Sequence, residues 1–214
     1  MSITTLFLDL DDTVYPSSSG VWDLIGNRIN QYMIEVLHFP PEGIAEIRDR
    51  LFHTYGTTMR GLVYEYHIDE RDYLAYVHDI PLHTCLKPDP ALYRALKDLP
   101  YQKVIFTNSD TNHARRVLKT VGIESLIDQI IDILMIGPYC KPQKAAFEKA
   151  LALSPEKNPE NIIFFDDNIA NLKTAREMKF FTVRVGCRCF QPEYHASIDQ
   201  LSELNQVFDL SLPG

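Results

Sequence analysis

The chain has 214 residues, of which 45% are hydrophobic and 23% charged, a balance typical of folded domains that excludes disordered and collagen-like classes. The formal net charge of −8 argues against a nucleic acid polymer as partner, because neutralising many phosphates requires a basic face. One small phosphorylated ligand remains compatible with this charge if local cations or a metal offset the field.

The first predicted element is an apolar strand at residues 6–8 that runs directly into a group of acids. Asp9, Asp11 and Asp12 place three carboxylates within four residues, and like charges at this density repel one another. Turn formation alone would explain Asp11 and Asp12, because aspartate is favoured in turns. For Asp12 the structural role is the better interpretation, whereas Asp9 and Asp11 are candidate site residues.

The next segment, residues 17–84, contains helical patterns and no strand-like run. Apolar residues recur every three to four positions, most clearly in SGVWDLIGNRINQYMIEVLH. We therefore predict an all-helical domain at 17–84, inserted into a core domain formed by 1–16 and 85–214. The Pro-marked linkers at 16–19 and 81–88 are expected to act as hinges.

Beyond this segment, short apolar strands alternate with amphipathic helices. Strands are predicted at 103–107 (KVIFT), 161–165 (NIIFF) and 180–185 (FFTVRV), and a fourth is expected in IIDILMI at 130–136. Continuous apolar runs such as IIFF are typical of parallel strands that are covered on both faces. The order of elements predicts an α/β fold with a doubly wound parallel sheet.

Several helix boundaries are marked in the sequence. Asp89 followed by Pro90 predicts a helix start, because aspartate favours the N-cap and proline the first helical position. Gly122 predicts the end of the next helix as its C′ residue. Either Asn168 or Asp167 is expected to cap the helix that follows NIIFF.

Polar residues follow the predicted strands, at the edge where open α/β sheets bind ligands. They are Asp9, Asp11, Thr107, Asn108, Ser109, Lys141, Asp166 and Asp167. Clustered carboxylates cannot all ionise without a cation, and all-oxygen ligation is what Mg²⁺ prefers. A threonine hydroxyl, adjacent N–H groups and a lysine form a cradle for phosphate. The combination favours phosphoryl transfer.

These motifs resemble those of haloacid-dehalogenase-superfamily (HAD) phosphatases. FLDLDDTVYP is similar to the first motif of that superfamily, VIFTN to the second, CKP with Lys141 to the third, and IIFFDDN to the fourth. The resemblance covers the whole chain and implies a Rossmann-like core. The helical segment between the first two motifs resembles the small α-helical cap of the superfamily.

The resemblance also implies roles for the site residues. Asp9 would be the nucleophile that forms an aspartyl-phosphate, and Asp11 the general acid and then the general base. Thr107 and the Asn108 N–H would bind phosphate oxygens, while Lys141 neutralises charge between Asp9 and the phosphate.

The implied cofactor is Mg²⁺. Its ligands would be the Asp9 carboxylate, the Asp11 backbone carbonyl and Asp166. Asp167 would act through water or as a reserve ligand.

A finer resemblance links the chain to the pyrimidine 5′-nucleotidase group, through DLDDTVYP, YGTTMRGL, YVHDIPL, KPDPAL, VIFTNSDTNHARRVL and FFDDNIANL. It implies a nucleoside monophosphate as substrate. A phosphatase or mutase for another small phosphometabolite, such as a sugar phosphate, shares all four motifs, and a non-catalytic regulatory domain is a further alternative. Hydrolytic dehalogenation needs neither a metal nor an acid two residues after the nucleophile, so Asp11, Asp166 and Asp167 argue against it.

Two further residues are candidates for substrate contact. Arg60 is a lone cation beside Gly61 with little packing reason in the sequence. His113 lies near the phosphate loop and is expected to reach the substrate from there.

The remaining expectations concern the environment of the protein. Four scattered cysteines do not make a disulfide scaffold, so Cys187 and Cys189 are expected to be free thiols, as is usual in the cytosol. The sequence shows no secretory signal and no membrane span. We expect a cytoplasmic monomer or homodimer.

Overall fold

The computed structural model describes residues 2–189 and 191–209, which form two compact units. The helical unit comprises Gly20–Cys85, and the core unit comprises the chain up to Ser19 and from Leu86 onward. The predicted core domain extends to residue 214, and its last five positions lie outside the described residues.

The core unit contains a parallel sheet of six strands in the part of the chain that the structure describes, with the order β3-β2-β1-β4-β5-β6. The strands are β1 (Thr5–Leu8), β2 (Gln102–Phe106), β3 (Gln129–Ile131), β4 (Ile162–Asp166), β5 (Phe181–Val185) and β6 (Ala196–Ile198). Every residue of β1 and β4 is buried, as expected for strands that are covered on both faces. The predicted α/β fold is confirmed.

The helical unit contains α1 (Val21–Glu35), α2 (Ile44–Tyr55), α3 (Thr58–Tyr66) and α4 (Glu70–Val77). Gly61 of α3 lies so close to α2 that an added Cβ would be 2.7 Å from a methyl carbon of Leu51. The neighbouring Arg60 is buried and forms an ion pair with Glu70 at 2.5 Å. Both residues therefore have a packing reason that the sequence did not reveal.

The helices of the core unit are α5 (Pro90–Lys97), α6 (Thr111–Val121), α7 (Lys144–Leu153), α8 (Ile169–Glu177) and α9 (Asn205–Asp209). Asp89 caps α5 by accepting hydrogen bonds from the backbone N–H groups of Ala91 and Leu92. Gly122 ends α6 with a φ of 88°, in the left-handed region that favours glycine. The predictions for both residues are confirmed.

Phenylalanine rings fill the core beneath the candidate site. Phe106 of β2 and Phe164 of β4 both pack edge-on against Phe147 of α7, with ring centroids 5.2 and 5.6 Å apart. Phe7 of β1 contacts Phe106 and also Phe180 just before β5. This rigid apolar layer fixes the strand ends that carry the polar residues.

Two features of the sheet differ from expectation. The strand predicted at 130–136 stops after Ile131, because the Asp132 carboxylate accepts hydrogen bonds from Thr111 and from the backbone of Met135. These bonds bend the chain into a turn. Strand β6 has only three residues, ASI, carries no strong strand signal and was not predicted.

The expectation of free thiols at Cys187 and Cys189 is wrong, because the two residues form a disulfide. Arg188 between them donates its backbone N–H to Asp199, and its side chain pairs with Asp199 and Glu203. The cysteine Cα atoms lie 5.7 Å apart, within disulfide range. Among the described helices, none is long and apolar enough to cross a membrane.

Candidate active site

The candidate site lies at the carboxyl ends of β1 and β4, which are neighbours in the sheet although they are far apart in sequence. The strand order reverses at this point, which is where open α/β sheets form a ligand crevice. Asp9 follows β1, and its backbone N–H donates to the carbonyl of Phe165 at 2.9 Å. Asp166 is the last residue of β4, so the register of the two strands places both carboxylates together.

Three carboxylates meet here. Asp9, Asp166 and Asp167 each offer an oxygen, and the three oxygens lie within 4.8 Å of one another. The Lys141 ammonium lies 2.6 Å from Oδ1 of Asp9 and 2.8 Å from Oδ2 of Asp166. Lys141 is only 2% exposed, so both ion pairs are shielded from water. We call Asp9, Asp166, Asp167 and Lys141 the carboxylate cluster.

The carboxylate cluster carries more negative than positive charge. Burial, together with the nearby Asp166, raises the pKa of Asp9 to about 7 despite the opposing effect of Lys141. Burial and Asp9 raise the pKa of Asp167 to about 6, and burial also raises the pKa of Asp166. Three carboxylates against one ammonium leave two uncompensated charges when all are ionised. A buried all-oxygen donor set with this imbalance fits a divalent cation.

Asp166 is held in place by the start of α8. The side-chain nitrogen of Asn171 lies 3.0 Å from both Asp166 carboxylate oxygens, and the backbone N–H of Asn168 donates to Oδ1. Asn168 caps α8 through the backbone N–H of Ala170, as predicted. Because both Asp166 oxygens have fixed partners, its orientation is set before any ligand binds.

Thr13 joins the two strand ends. Its hydroxyl donates to Oδ2 of Asp9 at 3.0 Å and accepts from the backbone N–H of Asp167 at 3.1 Å. A single side chain thus fixes the nucleophile candidate relative to the loop after β4.

Lys141 is positioned by the loop after β2. The Asn108 side chain donates to the Lys141 carbonyl at 3.0 Å and accepts from its backbone N–H at 2.9 Å. The ammonium also lies 5.2 and 5.3 Å from the ring centroids of Phe106 and Phe164. Although burial alone disfavours the charge, Asp166 and Asp9 raise the pKa of Lys141, so it remains an ammonium.

The Asp11 carboxylate has its own set of partners. Oδ1 accepts hydrogen bonds from the Tyr15 hydroxyl at 2.5 Å and from Nε2 of His113 at 2.9 Å, and Oδ2 accepts from the Ser109 hydroxyl at 2.5 Å. Burial favours the neutral acid, but His113, Ser109 and Tyr15 together lower the pKa of Asp11. We call Tyr15, Ser109 and His113 the Asp11 clamp.

The structure brings most of the predicted residues together. Thr107 and Asn108 follow β2, the strand that pairs with β1. The buried Thr107 hydroxyl accepts a hydrogen bond from the backbone N–H of Ser109. His113 does not project toward solvent as a substrate contact would, because it is 0% exposed and bonded to Asp11. Arg60 belongs to the helical unit, where Glu70 occupies its guanidinium.

A cavity of about 310 Å³ borders the carboxylate cluster on the side of Asp167. Asp12 and Arg184 also line it, and Arg184 lies opposite Asp166 in the strand register. Asp12 adopts a φ of 61°, and its buried Oδ1 has no hydrogen-bond partner among the described residues. The structural role expected of Asp12 is therefore not supported by a hydrogen bond at this oxygen.

The sequence does not assign Tyr15 and Ser109 as partners of Asp11, and it assigns His113 to the substrate instead. For Asn171 the sequence leaves two interpretations open, a surface residue or one that orients a site residue from the first turn of the helix after the fourth motif. Its contacts with Asp166 favour the second.

Comparisons with known proteins agree on the family. The profile described as "Hydrolase: haloacid dehalogenase-like hydrolase" matches residues 3–179. The chain is 31% identical over 186 residues to Phosphate metabolism protein 8 of Saccharomyces cerevisiae, a match covering 80% of this chain and 58% of that protein. The chain thus spans less than two thirds of the length of this relative.

Two solved structures show the same fold at low sequence identity. YfnB from Bacillus subtilis bound to magnesium has a TM-score of 0.66 and 18% identity, covering 98% of this chain and 100% of that chain. L-2-haloacid dehalogenase from Xanthobacter autotrophicus with chloropropionic acid covalently bound has a TM-score of 0.59 and 16% identity, covering 97% and 98%.

Proposed function

Because the chain belongs to the haloacid dehalogenase-like hydrolases, we propose that it hydrolyses phosphate monoesters through an aspartyl-phosphate on Asp9. The observation that carries this proposal is the charge imbalance of the carboxylate cluster, with Asp9, Asp166 and Asp167 facing the single ammonium of Lys141. Such a site is suited to a divalent cation and, with it, to a phosphate group.

In the proposed reaction, an Asp9 carboxylate oxygen attacks phosphorus, and the bond between phosphorus and the leaving oxygen breaks. Asp11 gives a proton to that oxygen and later takes one from the water that hydrolyses the aspartyl-phosphate. Thr107 and the Asn108 N–H hold the phosphate oxygens, while Lys141 offsets charge on Asp9 and the phosphate.

The proposed cofactor is Mg²⁺, held by the carboxylates of Asp9 and Asp166 and the backbone carbonyl of Asp11. Asp167 shares the cluster and would bind the ion directly or through water. When bound, the ion supplies positive charge that favours phosphate binding and the charge developing in phosphoryl transfer.

Dehalogenation is the competing chemistry, because the solved structures of this fold include L-2-haloacid dehalogenases. The acid two residues beyond the nucleophile and the paired Asp166 and Asp167 have no use in a metal-free displacement of halide. These residues favour phosphate ester hydrolysis for this chain.

The substrate that we propose is a nucleoside monophosphate, with pyrimidines preferred. The motif stretches shared with pyrimidine 5′-nucleotidases support it, and the yeast relative carries phosphate metabolism in its name. A sugar phosphate is the alternative, as is a mutase reaction that uses the same aspartyl-phosphate. A regulatory domain without turnover is less favoured, because no motif residue is missing.

A substrate panel tests this proposal. Phosphate release is measured from CMP, UMP, AMP, a sugar phosphate and 4-nitrophenyl phosphate, and halide release from 2-chloropropionate, each with Mg²⁺ and with EDTA. We expect Mg²⁺-dependent release of phosphate and no release of halide. Turnover of the sugar phosphate without turnover of any nucleotide would contradict the nucleotide assignment.

The nucleophile is tested with Asp9→Asn. We expect a loss of about 10⁴-fold or more in kcat, because an amide cannot form the acyl-phosphate. Asp98→Asn is the matched control, since Asp98 is an exposed aspartate at the end of α5. Turnover by Asp9→Asn close to that of this control would refute the nucleophile.

A further inference from the structure

The Asp11 clamp distributes its donors unequally over the two carboxylate oxygens. Oδ1 accepts from both Tyr15 and His113, whereas Oδ2 accepts only from Ser109 among the residues that the structure describes. A carboxylate oxygen has about two lone-pair positions for hydrogen bonds. Oδ1 is therefore saturated by the protein, and Oδ2 keeps one position open.

His113 is well suited to hold this arrangement. It lies in the first turn of α6, where its backbone N–H donates to the capping residue Asp110 at 3.1 Å. Its ring is fully buried, and an ionised Asp11 oxygen can only accept, so Nε2 is the donor across the 2.9 Å contact. A rigid helix terminus thus delivers one donor to one oxygen.

We propose that His113 is a positioning residue that, together with Tyr15, occupies Oδ1 of Asp11 so that Oδ2 is the oxygen that exchanges the proton with the substrate. This inference rests on the proposed phosphatase function. The three donors of the Asp11 clamp favour the ionised carboxylate, so Oδ2 first takes up a proton from water. As the bond from Asp9 to phosphorus forms and the bond to the leaving oxygen breaks, this proton passes to the leaving oxygen. In the second step, water attacks phosphorus, the bond from Asp9 to phosphorus breaks, and Oδ2 takes a proton from that water.

The clamp also keeps Asp11 apart from the cation site. Among the described residues, the group of mutually close carboxylate oxygens contains Asp9, Asp166 and Asp167 but not Asp11. A side chain that must exchange protons cannot at the same time be committed to a metal ion. Fixing Oδ1 on Tyr15 and His113 enforces this separation.

The competing explanation is that His113 merely fills space in the core. Two variants of similar polarity separate these roles. In His113→Gln the amide nitrogen lies near the position of Nε2 and can still donate to Asp11, whereas in His113→Asn it lies near Nδ1 and cannot reach. A packing role predicts similar behaviour for both variants, and a positioning role predicts rescue by glutamine alone.

The readout is the dependence of kcat/KM on the leaving group, because kcat/KM covers only the steps up to cleavage of the ester. The two substrates are the best alkyl phosphate of the panel, whose alkoxide needs a proton, and 2,4-dinitrophenyl phosphate, whose phenolate does not. For His113→Asn we expect a loss of about 10–100-fold on the alkyl phosphate and less than about 3-fold on the dinitrophenyl ester. His113→Gln should stay within about 3-fold of wild type on both.

A pre-steady-state burst of dinitrophenolate from His113→Asn gives a second check, because hydrolysis of the aspartyl-phosphate also needs Oδ2. Tyr15→Phe removes the other Oδ1 donor and should show the same selective loss of kcat/KM on the alkyl phosphate. This variant tests the positioning role even if His113→Asn does not fold. Equal losses on both esters, or equal behaviour of the asparagine and glutamine variants, overturn the positioning role alone. A wild-type protein that hydrolyses neither ester overturns the proposed function and this inference with it.

Discussion

Asp9 and Asp11 lie two residues apart on one loop, but the protein surrounds them in opposite ways. Asp9 faces Asp166, Asp167 and a single lysine, and burial raises its pKa to about 7. Asp11 accepts hydrogen bonds from three side chains, and these partners lower its pKa although it is equally buried. The loop therefore has a cation side at Asp9 and an acid side at Asp11.

The difference shows how one residue type serves two tasks. On the cation side the protein leaves negative charge uncompensated, so a positively charged ligand is needed to stabilise the ionised carboxylates. On the acid side the protein supplies every partner itself, so Asp11 keeps its position whether or not a ligand is bound. Substitutions on the two sides should therefore respond differently to added metal.

The largest effect is expected from Lys141→Met, which removes the only ammonium of the carboxylate cluster. Breaking a buried ion pair by removing one partner costs about 3–5 kcal/mol, so we expect a loss of this size in the free energy of unfolding of the metal-free protein. Urea denaturation at neutral pH measures it. Mg²⁺ should restore part of the loss, because it supplies the missing positive charge.

The matched control for this change is Lys144→Met. Lys144 lies three residues further on, but its side chain is 71% exposed and its pair with Glu148 spans 3.5 Å. Exposed ion pairs of this kind contribute about 0–1 kcal/mol. Equal losses in the free energy of unfolding for the two variants would mean that Lys141 does not offset buried negative charge in the carboxylate cluster.

A smaller effect is expected on the acid side from Tyr15→Phe. The lost hydroxyl donates to a buried carboxylate, so the free energy of unfolding should fall by about 1.5–3 kcal/mol, with Mg²⁺ affinity unchanged. Tyr76→Phe, which removes a hydroxyl that donates to the exposed Glu35, should cost less than Tyr15→Phe because water can replace the lost hydrogen bond. Denaturation curves combined with Mg²⁺ titration by calorimetry measure both quantities, and a weakened Mg²⁺ affinity in Tyr15→Phe would contradict the separation of the two sides.

The cation side was predictable from sequence because parallel topology brings strand ends together. Asp9 and Thr107 follow apolar strands and Asp166 ends one, and their convergence depends only on the strands being adjacent and parallel. No side-chain geometry was needed. The caps at Asp89 and Gly122 were predictable for a similar reason, since each depends on a local backbone position.

The acid side was not predictable in this way. Ser109 and His113 reach Asp11 across 98 and 102 residues of sequence, and their contacts depend on side-chain rotamers that no local pattern encodes. The packing role of Arg60 was also not apparent from the sequence, because its partner Glu70 lies on another helix.

The smallest expected effect is a pH dependence that distinguishes the two sides. A carboxyl whose pKa is higher in the folded protein than in the unfolded chain stabilises the fold at low pH, and this stabilisation is lost as the pH rises through the folded value. The pKa values of Asp9 and Asp167 are raised to about 7 and about 6. The free energy of unfolding in EDTA should therefore fall by about 1–2 kcal/mol between about pH 5.5 and about pH 7.

Asp11 behaves in the opposite sense, because its pKa is lowered from an ordinary value of 3.8. The stabilisation that the ionised Asp11 gives to the fold is lost only at more acid pH. It is therefore constant between about pH 5.5 and about pH 7. Asp9→Asn removes one of several carboxyls with raised pKa values, among them Asp12, Asp166 and Asp167, and should flatten the decline measured by urea denaturation in EDTA. With Mg²⁺ present the decline should shrink or reverse, since the cation binds the ionised carboxylates. If the free energy of unfolding in EDTA fell equally with pH in the wild type and in Asp9→Asn, the pKa of Asp9 would not be raised in the folded protein.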